Sequence, residues 1–422
     1  MQLILQLVLL IGAGAFTLEA KPLPLPLNSL IKPTTLSLTS RKPQDGASVS
    51  RHRRRHISRS LKRKRGISPA NIPLEDNFLG TDLEWFGSIQ GKFHPAPSEN
   101  DFTVVFDTGS DELLIPGTNC TDSCQRQNKF DPSKSSTFTP DTVDGIFTES
   151  FITGGDASPY GLKDWSVTVV QGSDTMTAGG LTVSNVSFLI IQNQSQPFSE
   201  DPYDGILGLS TDSSETSFFQ GLISQGLPPI YGFFLSPHSI GNAELTLGGV
   251  DPSKFTSQTT FAPLVADGAG AWITNCSGIA VNGQTSPALA VDTEVLFDTG
   301  TTNVFLPLLM AEALYALISP AIQPNPAEAG AWGIPCSLVA SLPASVDFTL
   351  RSSDGIPFNV TIPSSELNLG PFDGNSSLCQ TVFNSWPGYF TIPPIIGGSL
   401  FKHYYTTWDS GNLQIGFVPV SW

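Results

Sequence analysis

Along most of the chain the apolar residues come in short runs, broken at close intervals by Gly, Pro, Asn and Asp. From about Asp76 onward this is the signature of short β-strands joined by turns. Trp165-Ser-Val-Thr-Val-Val170 and Ala243-Glu-Leu-Thr-Leu247 alternate as half-buried strands do. Two stretches break the pattern. Pro307 to Ile318 predicts a helix, with Pro in its first turn and Pro320 beyond its end, and Thr216–Ser224 predicts a shorter one. The many Val/Ile/Phe/Thr runs in a Gly-, Pro-, Ser- and Thr-rich background favour an all-β class. With 422 residues the chain outgrows a single core, so two lobes are expected.

The pattern also repeats. Val104-Val105-Phe106 leads into Asp107-Thr108-Gly109-Ser110, and Val295-Leu296-Phe297 leads into Asp298-Thr299-Gly300-Thr301. Downstream of each comes an apolar pair and a glycine, Ile206-Leu207-Gly208 and Ile395-Ile396-Gly397. The separations from Asp to Gly are 101 and 99 residues. Matching landmarks at matching distances imply a duplicated lobe. One Asp-Thr-Gly turn is a common structural feature; two with the same flanks and the same downstream partner are not.

Charge changes the picture at the N-terminus. Residues 1–65 carry 13 Lys and Arg against two acids, a balance of +11, whereas the remainder carries 8 against 35, a balance of −27. A removable basic arm on an acidic body fits this split, and the body would repel nucleic acid. Met1 to Phe16 is almost wholly apolar and Ala13-Gly14-Ala15 offers a small-residue cleavage site, so residues 1–20 read as a secretory signal peptide. Residues 21–65 then form a basic propeptide, opening on Lys21-Pro-Leu-Pro-Leu-Pro-Leu27 and ending at Lys62-Arg-Lys-Arg65, a dibasic processing site. No second apolar run reaches spanning length and no hydrophobic anchor tail closes the chain, so no stable membrane anchor is expected. The expected product is a secreted monomer, with vacuolar residence as the alternative.

Cys120 and Cys124 lie close enough for a small loop, and Cys336 and Cys379 could close a larger one. Cys276 is left over and reads as a buried free thiol, with an intermolecular bridge as the alternative. No Cys/His cluster has zinc spacing, so no metal or other cofactor is expected. Six Asn-x-Ser/Thr sequons, at Asn119, Asn185, Asn193, Asn275, Asn359 and Asn375, are glycosylation candidates.

A strand that ends in Asp-Thr-Gly delivers a carboxyl group at a loop while the strand stays packed, and Gly permits the tight turn. Two such turns related by a pseudo-two-fold axis would face each other across a lobe interface. At about 4 Å two carboxylates repel by roughly 4 kcal/mol at an effective dielectric near 20, so the pair keeps one proton. The aspartic-protease dyad is the standard case of this behaviour. The sequence resembles the secreted, bilobal pepsin-like aspartic peptidases, fungal members included. Phe106-Asp-Thr-Gly-Ser110, Asp204-Gly-Ile-Leu-Gly-Leu209, Leu247-Gly-Gly-Val-Asp251, Phe297-Asp-Thr-Gly-Thr301, Ile395-Ile-Gly397 and Tyr404-Tyr-Thr-Thr-Trp-Asp409 carry the likeness, which covers most of residues 76–422. It implies an all-β fold of two pseudo-two-fold-related lobes with a few short helices, an N-terminal lobe over 76–250 and a C-terminal lobe over 251–422. It implies endopeptidase activity on polypeptide substrates at acid pH, with Asp107 and Asp298 as the dyad. Thr108 and Thr299 would knit the loops together, and Ser110 and Thr301 would bond the carboxyl groups from outside. Cys120–Cys124 and Cys336–Cys379 match two family disulfides.

The likeness has gaps. Where the family's closing hairpin carries Tyr, this chain has Gly154, within Phe151-Ile-Thr-Gly-Gly-Asp-Ala-Ser158; Gly154, Gly155, Asp156, Ser158 and the later Tyr160 are the flap candidates. Leu114 stands where Trp commonly buttresses that Tyr, and Gly91-Lys-Phe-His-Pro-Ala-Pro97 replaces the usual turn before the first Asp. A feeble or inactive relative that binds peptide or protein in its cleft is the alternative reading. A glycosidase also uses two carboxyl groups but does not explain duplicated Asp-Thr-Gly turns. A serine hydrolase lacks a Gly-x-Ser-x-Gly elbow, and His238 and His403 read as ordinary packing residues.

Overall fold

The computed structural model describes residues 67–91, 101–143, 145–153, 165–211, 216–266, 270–339, 342, 344–372, 374–386 and 392–422. Strands dominate, as the alternation predicts. Ser166–Ala178 takes up the first alternating stretch from its second residue onward, and Val167 and Val169 turn inward. It continues past the alternating residues and folds back on Leu181–Gln194 through Gly179 and Gly180, whose φ values of 56° and 77° suit a tight hairpin. Ala243–Leu247 is a strand with the bounds the pattern gives. The first strand, Ala70–Phe78, begins ahead of Asp76 because it pairs with Ala243–Leu247 as well as with Asp82–Gly91.

Both expected helices form, with later starts. Leu308–Ile318 is helical, but Pro307 stays outside as the cap residue, its ψ of 140° being extended rather than helical. Phe218–Ser224 begins where Ser217 caps it through a hydroxyl that accepts from the Gln220 N–H.

Among the described residues one sheet of fourteen strands contains the run Thr260–Pro263, Gln414–Pro419, Tyr404–Asp409, Ile230–Phe234, Ala243–Leu247, Ala70–Phe78, Asp82–Gly91. Segments from both ends of the described chain therefore share one backbone ladder. A second sheet of seven strands belongs wholly to residues 273–396. The sequence repeat is a repeat of strand pairing. Asp101–Asp107 runs parallel to Gly205–Gly208, which is antiparallel to Leu113–Pro116. Thr293–Phe297 likewise runs parallel to Ile395–Ile396, which is antiparallel to Val304–Leu306. The fold is the bilobal all-β kind that the duplicated landmarks suggest.

Aromatic rings fill the core. Trp272 and Trp408 meet edge to face at 5.0 Å, and Tyr231 stacks on Trp408 at 6.1 Å. Cys336–Cys379 and Cys120–Cys124 are bridged, and Cys276 is a buried free thiol. All six sequon asparagines are exposed.

A buried ionic chain ties the first strands to the C-terminal residues. Lys402 Nζ lies 3.0 Å from Asp82 Oδ2 and 2.7 Å from Glu366 Oε2, and Glu366 Oε1 is 2.8 Å from His403 Nε2. Asp76 sits beside Asp82. Burial first, and then the hydrogen-bonded, negatively charged Asp82, push Asp76 up to about 8. Burial would also raise Asp82, but the bond from Asp76 and the charge of Lys402 hold it below the ordinary carboxylate range. A carboxyl raised in the folded state contributes stability that is whole below its unfolded value and is lost as pH rises through the folded value. For Asp76 that window runs from the ordinary 3.8 to about 8. Asp76→Asn keeps a donor for Asp82 and removes the proton, so its unfolding midpoint is expected to gain on the wild type as pH rises from 4 to 8. Equal offsets between the two proteins at both pH values would contradict this.

Candidate active site

Each Asp-Thr-Gly turn is delivered by the strand pairing just described. The Asp298 N–H donates to Ile396 O at 3.0 Å, and the Leu209 N–H donates to Asp107 O at 2.7 Å, so each aspartate backbone is pinned to the strand downstream in its own half. Leu209 O accepts in turn from Tyr231 OH at 2.7 Å and from Trp272 Nε1 at 2.9 Å. The aromatic core thus reaches the backbone beneath Asp107 through one carbonyl.

The two loops are cross-linked reciprocally. The Thr108 N–H donates to Thr299 Oγ1 at 3.0 Å and the Thr299 N–H donates to Thr108 Oγ1 at 3.0 Å. Thr108 Oγ1 then donates to Phe297 O at 3.2 Å, and Thr299 Oγ1 donates to Phe106 O at 2.6 Å. The N–H and the hydroxyl of both threonines are satisfied by the opposite loop, and both side chains are buried.

This lattice sets Asp107 against Asp298, only 7% and 6% exposed. Asp107 accepts from the Gly109 N–H at 2.7 Å and from the Ser110 hydroxyl. Asp298 accepts from the Gly300 N–H at 2.8 Å and from Thr301 Oγ1 at 2.6 Å. The glycines are sterically required. A Cβ on Gly300 would stand 2.5 Å from Asp107 Oδ1, and one on Gly109 would stand 2.6 Å from the Asp298 carboxyl carbon. Each carboxyl group lies flat against the opposite turn. Burial above all, then the charge of Asp107 and the hydrogen bond between the two groups, pushes Asp298 well above the usual carboxylate range, against the pull of Thr301 and Gly300. The site can therefore keep a proton on one carboxyl beside a charged partner.

Three features escaped the sequence reading. Glu84, an acid within the apolar run Leu83 to Phe86, is buried and accepts from the Tyr203 hydroxyl. Burial and the charge of Asp201 push it well up, and Asp107 and Asp298 add to that, so it lies within electrostatic reach of the pair. An acid flanked by Leu83, Trp85 and Phe86 marks an unusual position, but the sequence does not name the partner that buries it. Leu114 packs with Cys120, Cys124, Val167, Val169, Leu189 and Ile191, and the aromatic residues of the hairpin base, Phe151 and Phe198, pack against the same cluster. Phe198 meets Phe151 at 5.5 Å and Trp165 at 5.0 Å, and the Phe151 N–H donates to Trp165 O. Finally, Thr153 reaches Thr301, with the hydroxyl oxygens 2.6 Å apart. The flap candidates Gly154, Gly155, Asp156, Ser158 and Tyr160 lie outside the described residues.

Comparison with known proteins agrees with this geometry. The model of the eukaryotic aspartyl protease family matches residues 96–420. The chain is 30% identical to cathepsin E of Aquarana catesbeiana over 361 residues, covering 82% of this chain and 81% of that protein. It is 29% identical to pepsin A of Rhinolophus ferrumequinum over 366 residues, covering 83% and 84%. It is 30% identical to pepsin A of Callithrix jacchus over 360 residues, again covering 83% and 84%. Family and fold agree, and the chain belongs to the eukaryotic aspartyl proteases as an aspartic-type endopeptidase.

Proposed function

We propose that the chain hydrolyses peptide bonds in acidic media with a water molecule held between Asp107 and Asp298. One observation carries the reading: two buried carboxyl groups lie in contact, each with its own backbone and hydroxyl donors, and burial together with the charge of Asp107 pushes Asp298 well above the usual carboxylate range. The charged Asp107 takes a proton as water attacks the amide carbon, and Asp298 gives its proton to the carbonyl oxygen. On collapse of the diol, one hydroxyl proton returns to Asp298, the proton on Asp107 passes to the amine nitrogen, and the C–N bond breaks. Thr108 and Thr299 fix the distance between the groups; Ser110 and Thr301 fix their orientation.

The same reading takes residues 1–20 as a secretory leader and residues 21–65 as a basic propeptide removed after Arg65. The +11 arm is electrostatically complementary to the −27 body, which supports a zymogen in which the arm is held until processing. Gly154 where the family has Tyr, and the Phe151–Phe198–Trp165 group at the hairpin base, support a closing element built differently from that of its relatives.

The direct test is to incubate the processed protein with a mixed peptide library at pH 4 and at pH 7, with and without a statine-type inhibitor, and identify products by mass spectrometry. Inhibitor-sensitive internal cleavage, faster at pH 4, is expected. A processed, folded protein that binds peptides without cutting them would overturn the reading in favour of a binding role.

A further inference from the structure

Thr153 ends the segment Ile146–Ser150 to Thr153, which leads out of one half of the molecule, and its hydroxyl meets that of Thr301 in the other half at 2.6 Å. Thr301 has a single hydroxyl proton, and its bond to Asp298 Oδ2, at 2.6 Å, uses that proton on the carboxyl group. Thr301 Oγ1 is then left as an acceptor, and Thr153 is the donor that fills it. The neighbouring side chain fixes this approach. Ile152 packs against Phe305, Trp386 and Ile395, with Leu296 and Ile392 alongside, so an apolar seat in the second half holds the segment where Thr153 can reach.

We propose that Thr153 is a positioning residue for Asp298: the outermost link of a hydroxyl chain, Thr153 to Thr301 to Asp298 Oδ2, that keeps the proton of Thr301 aimed at the carboxyl group and couples the hairpin to the second aspartate. This deepens the proposed reaction and rests on it. A donor on Thr301 Oγ1 polarises its O–H bond, and the polarised bond stabilises the charged form of Asp298. The other groups acting on Asp298 are Asp107, Glu84 and the Gly300 N–H, none of which touches Thr153 in the hydrogen bonds described.

Thr153→Val keeps the shape and deletes the hydroxyl; Thr153→Ser keeps the hydroxyl. With the outer donor gone, the charged form of Asp298 is less favoured, and the shared proton leaves at higher pH. The Val variant is expected to lower kcat by up to about tenfold with KM little changed, the worth of one hydrogen bond. The alkaline limb of its pH profile should move up by about half a pH unit. The Ser variant should restore both. A Val profile superimposable on the wild type, or a rise in KM alone, would overturn the proposal. An infrared titration of the Asp298 carboxyl band, assigned with Asp298→Asn, reads the same chain without substrate. A band midpoint shifted in Val and restored in Ser supports the proposal even if the wild type cleaves no peptide; coincident midpoints reject it. Thr153→Ala serves in the same comparison if the Val variant unfolds.

Discussion

Asp107→Asn is expected to lower kcat on a peptide substrate by about 10²–10⁴-fold, the range for loss of a positioned acid or base, while the protein stays folded. Asp298→Asn should do the same for a different reason. An amide at Asp107 cannot take the water proton; an amide at Asp298 cannot deliver a carboxyl proton to the oxyanion. The surroundings tolerate the second change. The Asn oxygen can occupy the Oδ1 position and keep the Gly300 N–H bond, while Thr301 turns to accept from the new amide at Oδ2. Such a rearrangement keeps buried polar groups paired, so a large loss of stability is not expected. Initial rates at pH 4, together with thermal unfolding, check both variants. Either variant retaining a tenth of wild-type kcat would break the assignment of the pair.

Gly300→Ala should be nearly as damaging although it removes no functional group. The new methyl would sit 2.5 Å from Asp107 Oδ1 and 2.6 Å from its carboxyl carbon, too close for any real contact. Gly300 does not have a left-handed backbone, so the substituted residue itself is unstrained and the carboxyl group must move. A displacement of about 1 Å in a reacting group can cost about 10²-fold in rate. Overpacking costs typically about 1–3 kcal/mol, which lowers stability without abolishing the fold. Gly109→Ala, aimed at Asp298, should behave alike. Gly249→Ala, whose methyl would meet only Pro69 at ordinary distance, is the control. Equal kcat for Gly300→Ala and the control would show that the two turns do not press on each other as described.

The residues that were legible in the sequence are those whose chemistry and packing share one short stretch. Phe106 to Ser110 and Phe297 to Thr301 announce a strand, a turn and a carboxyl group together, and their duplication implies the face-to-face pairing. The apolar alternation identified Ala243–Leu247 as a strand, but not that it lies beside Ala70–Phe78, because pairing across such separations leaves no local period. The start of the helix at Leu308 was hidden by Pro307, a residue equally at home in a first turn or just before it. Glu84 and Thr153 were illegible for another reason. A polar residue reads as exposed until its partner is known, and Tyr203 and Thr301 are far away in the chain.

The cross-linked threonines have a consequence for the order in which the molecule comes alive. The bonds from Thr108 to Phe297 and from Thr299 to Phe106 close loops of 189 and 193 residues. Closures that long carry an entropic cost of about 4–5 kcal/mol, which only a completed second half can offset. During synthesis the first carboxyl group therefore waits, harmless, with no counterpart to share a proton. On the proposed mechanism, a chain released before its second half is made would lack Asp298 and would cut nothing, which would protect neighbouring proteins from a half-made protease.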